Sequence, residues 1–489
     1  MGQAYLNHSS FTGGAIDDKV TKMQVANGER YIIGETNSAD FPVTNGSVYK
    51  GGYDITVTKY NSNGTISYSS YIGGNSDDDC TLMKVVNGEV YLLGRTYSTN
   101  YPVTNGSVAN GLMDIVITKL NTNGSIAFST YLGGNRDDSP TDFEIAGNEM
   151  FIIGHTESTN FPQNIGLGYK GFITKLSTID GAIIISKVFG DENSGWIENM
   201  HLQNGSVYLV GNSHSNILPI TIGNYPTGEP NRTYIYVLKL NSSNFNTVFS
   251  RYISGNDYEQ VHGSEVINGE IHLTGRTRST NFPVTNGSTH SPVLYDNDAF
   301  YTRLNIDGSI GFSTYLATNN NDILFEILIS NGEIYLAGQS FSTSNFSETD
   351  ILIYKINTNG TIAYSKKMRK VSGNDFPSFT VLNGSLYIAG TGATPTYPVT
   401  NASQHYGYPT GFFTQLGPSG DILYSTFLGK MNAILPMQIV NNKIYLLGIS
   451  DIASYPATNG STITGIDDNI LIVLKPDGTM LKYNSKPQK

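Results

Sequence analysis

The sequence predicts an all-β fold, a single β-propeller of eight blades with four antiparallel strands in each. A four-residue, mainly apolar segment that ends in glycine, such as residues 91–94, recurs eight times along the 489 residues, at steps of 52 to 64 residues. We call this segment the apolar pulse. Each copy has segments with the two-residue period of strands, separated by tight turns, and no segment has a helical period. The pulses end at Gly34, Gly94, Gly154, Gly211, Gly275, Gly338, Gly390 and Gly448.

The second copy shows the order of the elements. An outer strand is predicted over residues 65–71, and a Gly-Gly pair and an acidic run follow it. A second strand is predicted over 81–86, and Asn87-Gly88 forms a hairpin turn into a third strand over 90–95, apolar enough to be buried on both faces. The fourth strand covers 114–120. One such sheet cannot bury both faces alone, whereas eight packed face to face can.

The repeat fills the chain, which predicts one domain over residues 1–489 and leaves no separate catalytic domain. A parallel β-helix is disfavoured because its rungs of roughly 20 residues contain no hairpins, and stacked sandwiches would need about seven strands per domain. The predicted units are 5–64, 65–124, 125–181, 182–244, 245–308, 309–360, 361–420 and 421–478, with a terminal strand at 479–489.

Composition excludes several classes of protein. The net charge is −11, from 29 basic and 40 acidic residues, and no basic block occurs, which argues against nucleic acid and anionic membrane surfaces as partners. No apolar run approaches the ~18 residues of a membrane span. Abundant Tyr, Asn, Ser and Thr are common in extracellular and cell-surface proteins. The N-terminus has no signal peptide in this numbering, so the chain is either cytoplasmic or numbered as a mature or recombinant form.

The sequence motifs of the repeat also favour an extracellular or cell-surface location. Residues 128–138 read Phe-Ser-Thr-Tyr-Leu-Gly-Gly-Asn-Arg-Asp-Asp, and residues 154–162 end in Ser-Thr-Asn-Phe-Pro. These motifs resemble the bacterial and archaeal SBBP-type β-propeller repeat over essentially the whole chain. The resemblance implies a surface or secreted location, an architectural or adhesive role and no defined catalytic residues. The family's name refers to seven blades, whereas this chain has eight copies.

Acidic residues recur once per copy after the Gly-Gly pair. We interpret them as acceptors for backbone N–H groups in the turn, with one calcium ion per corner as the alternative. No EF-hand spacing occurs, and no cofactor is expected. The acids are Asp17, Asp18, Asp77, Asp78, Asp79, Asp137, Asp138, Asp191, Glu192, Asp257, Asp322 and Asp375.

Motifs of catalysis are missing from the sequence. The eight histidines have no metal-ligand spacing, and there is no nucleophile elbow, phosphate loop or sialidase Asp box. The chain is therefore predicted not to be an enzyme, with no catalytic and no metal-binding residues. Cys80, the single cysteine, is expected to be a buried or half-buried side chain. The longer loops at 217–232 and 288–297 are candidates for a ligand rim.

Sequons for N-glycosylation are frequent. The alternative interpretation is that these residues simply serve the turns, because Asn-Gly is also what a tight turn requires. The candidate glycosylation sites are Asn45, Asn105, Asn123, Asn286 and Asn459.

The number of outer strands exceeds the number of blades. Residues 6–11, followed by Gly13-Gly14, match the outer strand at 66–71, and residues 477–485 match 63–70. Eight inner triplets thus come with nine outer strands, so one terminal strand is surplus. It is a fifth strand on one blade, a loose tail, or a donor to a neighbouring molecule. The candidate self-assembly residues are Leu6, Asn7, His8, Ser9, Ser10, Phe11, Met480, Leu481, Lys482 and Tyr483.

Three functional hypotheses follow. The first is a non-catalytic structural protein of the cell surface or an extracellular assembly, a fibre subunit whose partner is another copy of itself, joined head to tail. The second is an adhesin that binds glycans or surface proteins through its variable loops. The third is a degenerate lyase or glycosidase.

Overall fold

A computed structural model describes residues 13–162, 169–190, 196–215, 218–226, 232–290, 297–316, 318, 320–341, 348–357, 360–371, 376–401, 403, 405, 407, 409–434, 437–450 and 468–475. Over these residues the fold is all-β, with 32 strands and no helix. The strands form eight four-stranded antiparallel sheets, the blades of a β-propeller. The predicted fold class is confirmed.

The blades follow one another in chain order. Blade one contains β1 (Asp18–Ala26), β2 (Glu29–Thr36), β3 (Asp54–Tyr60) and β4 (Ile66–Ile72), and blade two β5 (Asp78–Val86), β6 (Glu89–Thr96), β7 (Asp114–Leu120) and β8 (Ile126–Leu132). Blade three contains β9 (Asp138–Ala146), β10 (Glu149–Thr156), β11 (Lys170–Ser177) and β12 (Ile183–Phe189), and blade four β13 (Trp196–Gln203), β14 (Ser206–Ser213), β15 (Tyr234–Asn241) and β16 (Thr247–Ile253). Blade five contains β17 (Glu259–Ile267), β18 (Glu270–Thr277), β19 (Asp298–Leu304) and β20 (Ile310–Leu316), and blade six β21 (Asn321–Ser330), β22 (Glu333–Phe341), β23 (Glu348–Ile356) and β24 (Ile362–Val371). Blade seven contains β25 (Ser378–Leu382), β26 (Ser385–Gly390), β27 (Thr410–Leu416) and β28 (Ile422–Lys430), and blade eight β29 (Ala433–Ile434), β30 (Gln438–Val440), β31 (Lys443–Ser450) and β32 (Asp468–Leu474).

Blades one to seven each cross a boundary of the sequence repeat. β4 opens the second repeat yet pairs with β3, with Thr58 opposite Ser69, so the outer strand of one repeat is the fourth strand of the preceding blade. In blade eight, β29 and β30 both pair with β31, and β32 lies on its other side. The two terminal copies of the outer strand, residues 6–11 and 480–485, lie outside the described residues. The surplus strand therefore stays a prediction.

The turns follow the sequence closely. Two of the predicted strands of the second copy differ from their bounds by one residue, and β5 begins three residues before its predicted start. Asn87 and Gly88 have φ values of 52° and 82°, which are those of a two-residue hairpin between β5 and β6. β6 is buried on both faces, as predicted. β5 begins at Asp78 rather than at residue 81, so part of the acidic run lies within the strand. The reason is that the Asp78 carboxylate bonds the preceding turn from inside the sheet.

At five of the apolar pulses, the final glycine is required by a close backbone contact. β5 has a bulge between Cys80 and Leu82, opposite Gly94. A Cβ on Gly94 would lie 2.0 Å from the carbonyl oxygen of Asp79, far inside van der Waals contact. Gly34, Gly275 and Gly338 meet the first strand of their own blades in the same way. The repeating glycine is therefore a packing requirement of the bulge.

The chain divides into two compact units. The first comprises Met1–Val108, Val116–Thr130 and Met368–Lys489, and it brings the first and last blades together. Gln438 of β30 donates its amide to the carbonyl of Met23 at 2.8 Å and accepts the N–H of Val25 at 2.7 Å. Val20, Met23 and Val25 also share an apolar core with Tyr445, Leu447 and Val473.

The second unit comprises Ala109–Ile115 and Tyr131–Lys367 and contains blades three to six. Three of its apolar clusters lie between two adjacent blades, as in the cluster that joins Phe151 and Ile153 of blade three to Leu209 and Leu238 of blade four. Side-chain amides again bond the next blade.

Candidate functional site

The carboxylates at the start of the blades hold the preceding turns. Asp78 is fully buried, and its Oδ2 accepts the N–H of Gly74 at 2.7 Å and the hydroxyl of Ser98 at 3.0 Å. Its Oδ1 accepts the hydroxyl of Thr96. Burial raises the pKa of Asp78, and these hydrogen bonds oppose that shift. Asp18 and Asp138 accept the equivalent glycine N–H, as the turn interpretation predicts.

A second buried carboxylate lies opposite Asp78 across Gly73. A Cβ on Gly73 would meet Oδ1 of Asp54 at 2.2 Å and Oδ2 of Asp78 at 2.9 Å, so only glycine leaves room for both. Oδ2 of Asp54 accepts the N–H of Lys50 at 2.9 Å. Its Oδ1 is buried without a hydrogen-bond partner. Burial, with a contribution from Asp78, raises the pKa of Asp54 to about 6.

The same pair recurs at Asp114 and Asp138 around Gly133. The sequence interpretation missed Asp54 and Asp114, because each begins a third strand 24 residues before its partner. An Asp repeated at the start of the third strand was the available signal. Within the described part of the chain, no three His, Cys, Asp or Glu side chains converge as a metal site. Calcium at the corners stays an untested alternative.

In blade five, the residue that holds the turn differs from the one we singled out. Asp257 contributes only its backbone N–H, which donates to the hydroxyl of Ser279 at 2.7 Å. The buried acid is Glu259, whose carboxylate accepts the hydroxyls of Thr277 and Ser279. Burial raises its pKa to about 7. The longer glutamate occupies the aspartate position of the other blades, while Asp191, Glu192 and Asp375 lie outside the described residues.

Among the described histidines, His272 is buried, and His155 and His262 are half-buried. Burial lowers the pKa values of His155, His262 and His272 to about 4, so all three are neutral at pH 7. His155 stacks on Tyr169, with 5.1 Å between ring centroids. His272 bonds the hydroxyl of Tyr301 at 2.9 Å. These contacts agree with the expectation that the imidazoles belong to the packing.

At the hairpin between the first two strands, several blades repeat an ion pair stacked on an aromatic ring. Lys59 lies 2.9 Å from the carboxylate of Glu29 and 5.3 Å from the ring of Tyr31, whose hydroxyl also bonds Glu29. Lys119 with Glu89 and Lys355 with Glu333 repeat the arrangement. The sequence interpretation missed this motif, although Asn-Gly-Glu after the first strand recurs in the repeat. It supports the hairpins and leaves these charges paired.

Loops that follow the second strand cover the free edge of the fourth strand. In blade one the N–H of Thr44 donates to the carbonyl of Ser69 at 2.9 Å, and the hydroxyl of Thr44 accepts the N–H of Ser69 at 2.8 Å. Two residues further along β4, the N–H of Tyr71 donates to the hydroxyl of Ser47. The Thr–Ser exchange recurs at Thr104–Ser129, Thr221–Ser250, Thr285–Ser313 and Thr400–Ser425. Five blades thus close an edge that would otherwise be available for strand pairing.

The sequons in these loops are part of the same contact. The amide nitrogens of Asn45, Asn105 and Asn286 donate to hydroxyls of the fourth strand at 2.7, 2.8 and 2.9 Å. A glycan would be attached to that same nitrogen. Asn123 lies on an exposed turn and uses its carbonyl oxygen to accept the N–H of Ser125. Asn459 is outside the described residues, and glycosylation stays a prediction.

Of the two variable loops, residues 218–226 and 232 are described in the first and 288–290 and 297 in the second. Leu218 packs in an apolar cluster with Tyr234 and Tyr252. Tyr225 is 47% exposed, and its ring centroid lies 6.4 Å from that of Tyr252. The loop therefore presents one aromatic face to solvent above a rigid tyrosine cluster.

These observations define a β-propeller whose described ionisable groups mostly serve the fold. No family model matches the chain. Regulatory protein FlaEY of Caulobacter vibrioides is 20% identical over 395 residues, which cover 74% of this chain and 41% of FlaEY. This chain thus matches less than half the length of that relative.

Among solved structures, the quinohemoprotein alcohol dehydrogenase of Comamonas testosteroni has a TM-score of 0.52 at 9% identity, over 99% of this chain and 78% of that one. The WD40 domain of Neurospora crassa Pan2 has a TM-score of 0.38 at 8% identity, over 96% of this chain and 91% of that one. At 9% identity, the likeness to the dehydrogenase shows a shared fold and nothing about function. The TM-score of the WD40 domain is too low for a conclusion. No helix in the described residues has the length and apolar character needed to cross a membrane.

Proposed function

We propose that this chain is a non-catalytic structural protein of the cell surface or of an extracellular assembly. We further propose that it is a fibre subunit, joined to the next copy by a terminal β-strand. The observation that carries this proposal is the control of strand edges. Five fourth strands are covered by loops of their own blade, while the sequence holds nine outer-strand copies for eight blades. A spare strand has few free edges inside its own molecule, which favours pairing with another.

The state of the ionisable groups supports a role without catalysis. The blade-start acids are buried and accept hydrogen bonds from the turns, as Asp78 does. Three histidines are neutral and packed against aromatic or hydroxyl groups. The arrangement of the acids repeats with the blades, whereas a catalytic site breaks the repeat in one place. The surface location rests on the uncharged polar composition and on the resemblance to the SBBP-type repeat.

Electron microscopy of the purified chain in negative stain tests the proposal. We expect fibres whose subunits are single discs. Deletion of residues 1–10 or removal of residues 480–489 is expected to leave a folded monomer that no longer polymerises. Fibres that persist unchanged after both deletions, or a wild-type chain that stays monomeric at all concentrations, would overturn it.

The exposed Tyr225 supports a second candidate, an adhesin that binds glycans or a surface protein. Aromatic side chains on a rigid base are suited to stacking against sugar rings. A glycan array tests this function. Selective binding that is lost when residues 217–232 are replaced, and kept when residues 288–297 are replaced, would establish it; an array without selective binding would exclude glycans.

A further inference from the structure

The fourth strand of blade three is less covered than most of its counterparts. In β4 and β16 the last five residues are buried. In β12 only Ser186 is buried, and the other six residues are exposed or half-buried. Ile183 and Ile184 are 45% and 50% exposed, and Ile179 in the turn before them is 72% exposed. Within the described part of blade three, β12 is thus a largely apolar strand with an exposed outer side.

The loop sequence predicts that β12 lacks the hydroxyl cover found in five other blades. The loops of blades one and three can be aligned on Phe41-Pro42 and Phe161-Pro162. In this alignment Asn164 stands at the position of Thr44, and Leu167 at that of Ser47. Neither offers the hydroxyl that accepts an N–H of the fourth strand in blade one. Asn164 and Leu167 lie outside the described residues, so this comparison is one of sequence.

Blade six also has an exposed fourth strand, but charge protects it. β24 carries Lys366, Lys367 and Arg369, and charges on an edge strand oppose pairing with another strand. β12 has a single lysine, Lys187, whose Nζ donates to the carbonyl of Phe245 at 2.8 Å. That charge is directed to blade four and does not guard the edge.

An apolar pocket lies at the end of β12, between blades three and four. Its lining includes Phe189 at the end of β12, Ile197, Leu218 and Tyr236. Strand addition gains affinity from main-chain hydrogen bonds and specificity from pockets that accept side chains of the added strand. β12 offers the edge, and this pocket offers a place for an apolar anchor.

We propose that β12 is the acceptor edge for an outer-strand segment of a second copy of this chain, and that the donor is its residues 480–485. This inference rests on the proposed fibre function. The N–H of Gly14 donates to Asp18 as that of Gly74 donates to Asp78, just after β4. Because the corner at Gly14 repeats the corner that follows β4, we take residues 6–11 as the outer strand of blade eight in their own chain, which leaves residues 480–485 as the spare copy.

The added strand covers Ile183 and Ile184, and its backbone pairs with the outward N–H and carbonyl groups of β12. Donor and acceptor belong to different blades, so the contact is heterologous and propagates as a fibre. The donor segment Met-Leu-Lys-Tyr-Asn-Ser supplies apolar residues for the edge and the pocket.

A lysine at the exposed start of β12 tests the inference. Ile184→Lys places a charge on the acceptor edge. Val248→Lys is the matched control, because Val248 precedes Ser250 by two residues, as Ile184 precedes Ser186, and is 54% exposed. Its edge is covered by Thr221. We expect Ile184→Lys to slow fibre elongation at least tenfold and Val248→Lys to change it less than twofold, with both thermal midpoints unchanged.

A peptide of residues 479–489, added in excess to the wild-type chain, is expected to shorten the fibres, whereas a scrambled peptide has no effect. If fibres form but respond equally to the two lysine variants, the acceptor assignment is wrong and the fibre function stands. If the wild-type chain never assembles, the proposed function fails and this inference fails with it.

Discussion

The close contact at Gly94 makes a quantitative prediction about stability. In Gly94→Ala the new Cβ would lie 2.0 Å from the carbonyl oxygen of Asp79 and 3.0 Å from Cα of Cys80. Both neighbours are backbone atoms, so no side chain can rotate away. A carbon–oxygen contact of about 3.3 Å is the normal lower limit. β5 and β6 must therefore separate locally by roughly 1.3 Å to accept one methyl group.

The cost follows from that separation. Overpacking a tight site costs about 1 to 3 kcal/mol, and weakening the ladder next to the bulge adds about 1 kcal/mol per hydrogen bond. We expect Gly94→Ala to lower the free energy of unfolding by about 3 kcal/mol. Gly147→Ala is the control, because Gly147 has a φ of 59° and no atom lies within 4 Å of the place that a methyl group would occupy there. In Gly147→Ala the free energy of unfolding should fall by only roughly 1 kcal/mol, the cost of placing an alanine at a positive φ.

Urea unfolding followed by circular dichroism measures both variants against the wild type. If Gly94→Ala loses clearly more stability than Gly147→Ala, the contact between the two strands is the main cause of the loss. Equal losses would refute the reasoning, because they would mean that the bulge relaxes at no cost and that the recurring glycine has another cause.

Three further predictions concern single side chains. Asp54→Asn is expected to stabilise the fold at pH 8 and to leave its stability unchanged near pH 4. The folded pKa of Asp54 is about 6, above the ordinary 3.8, so ionisation of this carboxyl destabilises the fold only as the pH rises. Urea unfolding at the two pH values checks this, and a loss of stability at pH 8 contradicts it. Thr104→Ala should cost about 1 kcal/mol in the same assay, because the N–H of Ser129 loses its side-chain acceptor; no measurable loss would show that water replaces the hydroxyl. Cys80 is fully buried, and burial raises the pKa of its thiol to about 12. It should resist a thiol reagent until the chain is denatured, and labelling in native buffer would disprove this.

Local chemistry explains what could be anticipated at the candidate sites. An acid after Gly-Gly predicts a turn acceptor, and Asp78 fills that role. Asp54 was missed because its partner lies in the next blade, beyond a turn and a whole strand. Glu259 was missed because we singled out the aspartate of that corner, Asp257, although Glu259 has the spacing that Asp78 has after its glycine pair. The bond is made by the side chain that reaches the turn from inside the strand.

The sequence by itself determined the all-β class, the eightfold repeat, the Asn-Gly hairpins and the alternation that sets each strand's faces, because these follow from periods and turn requirements within a few residues. Only the tertiary structure decided which strand completes each blade, which acids meet across Gly73, and which fourth strands a loop of their own blade covers. The cover on β4 depends on hydroxyls about 25 residues away in sequence. Contacts of that kind depend on how loops dock on neighbouring strands, and the sequence of the strand itself does not show which loop residues reach it.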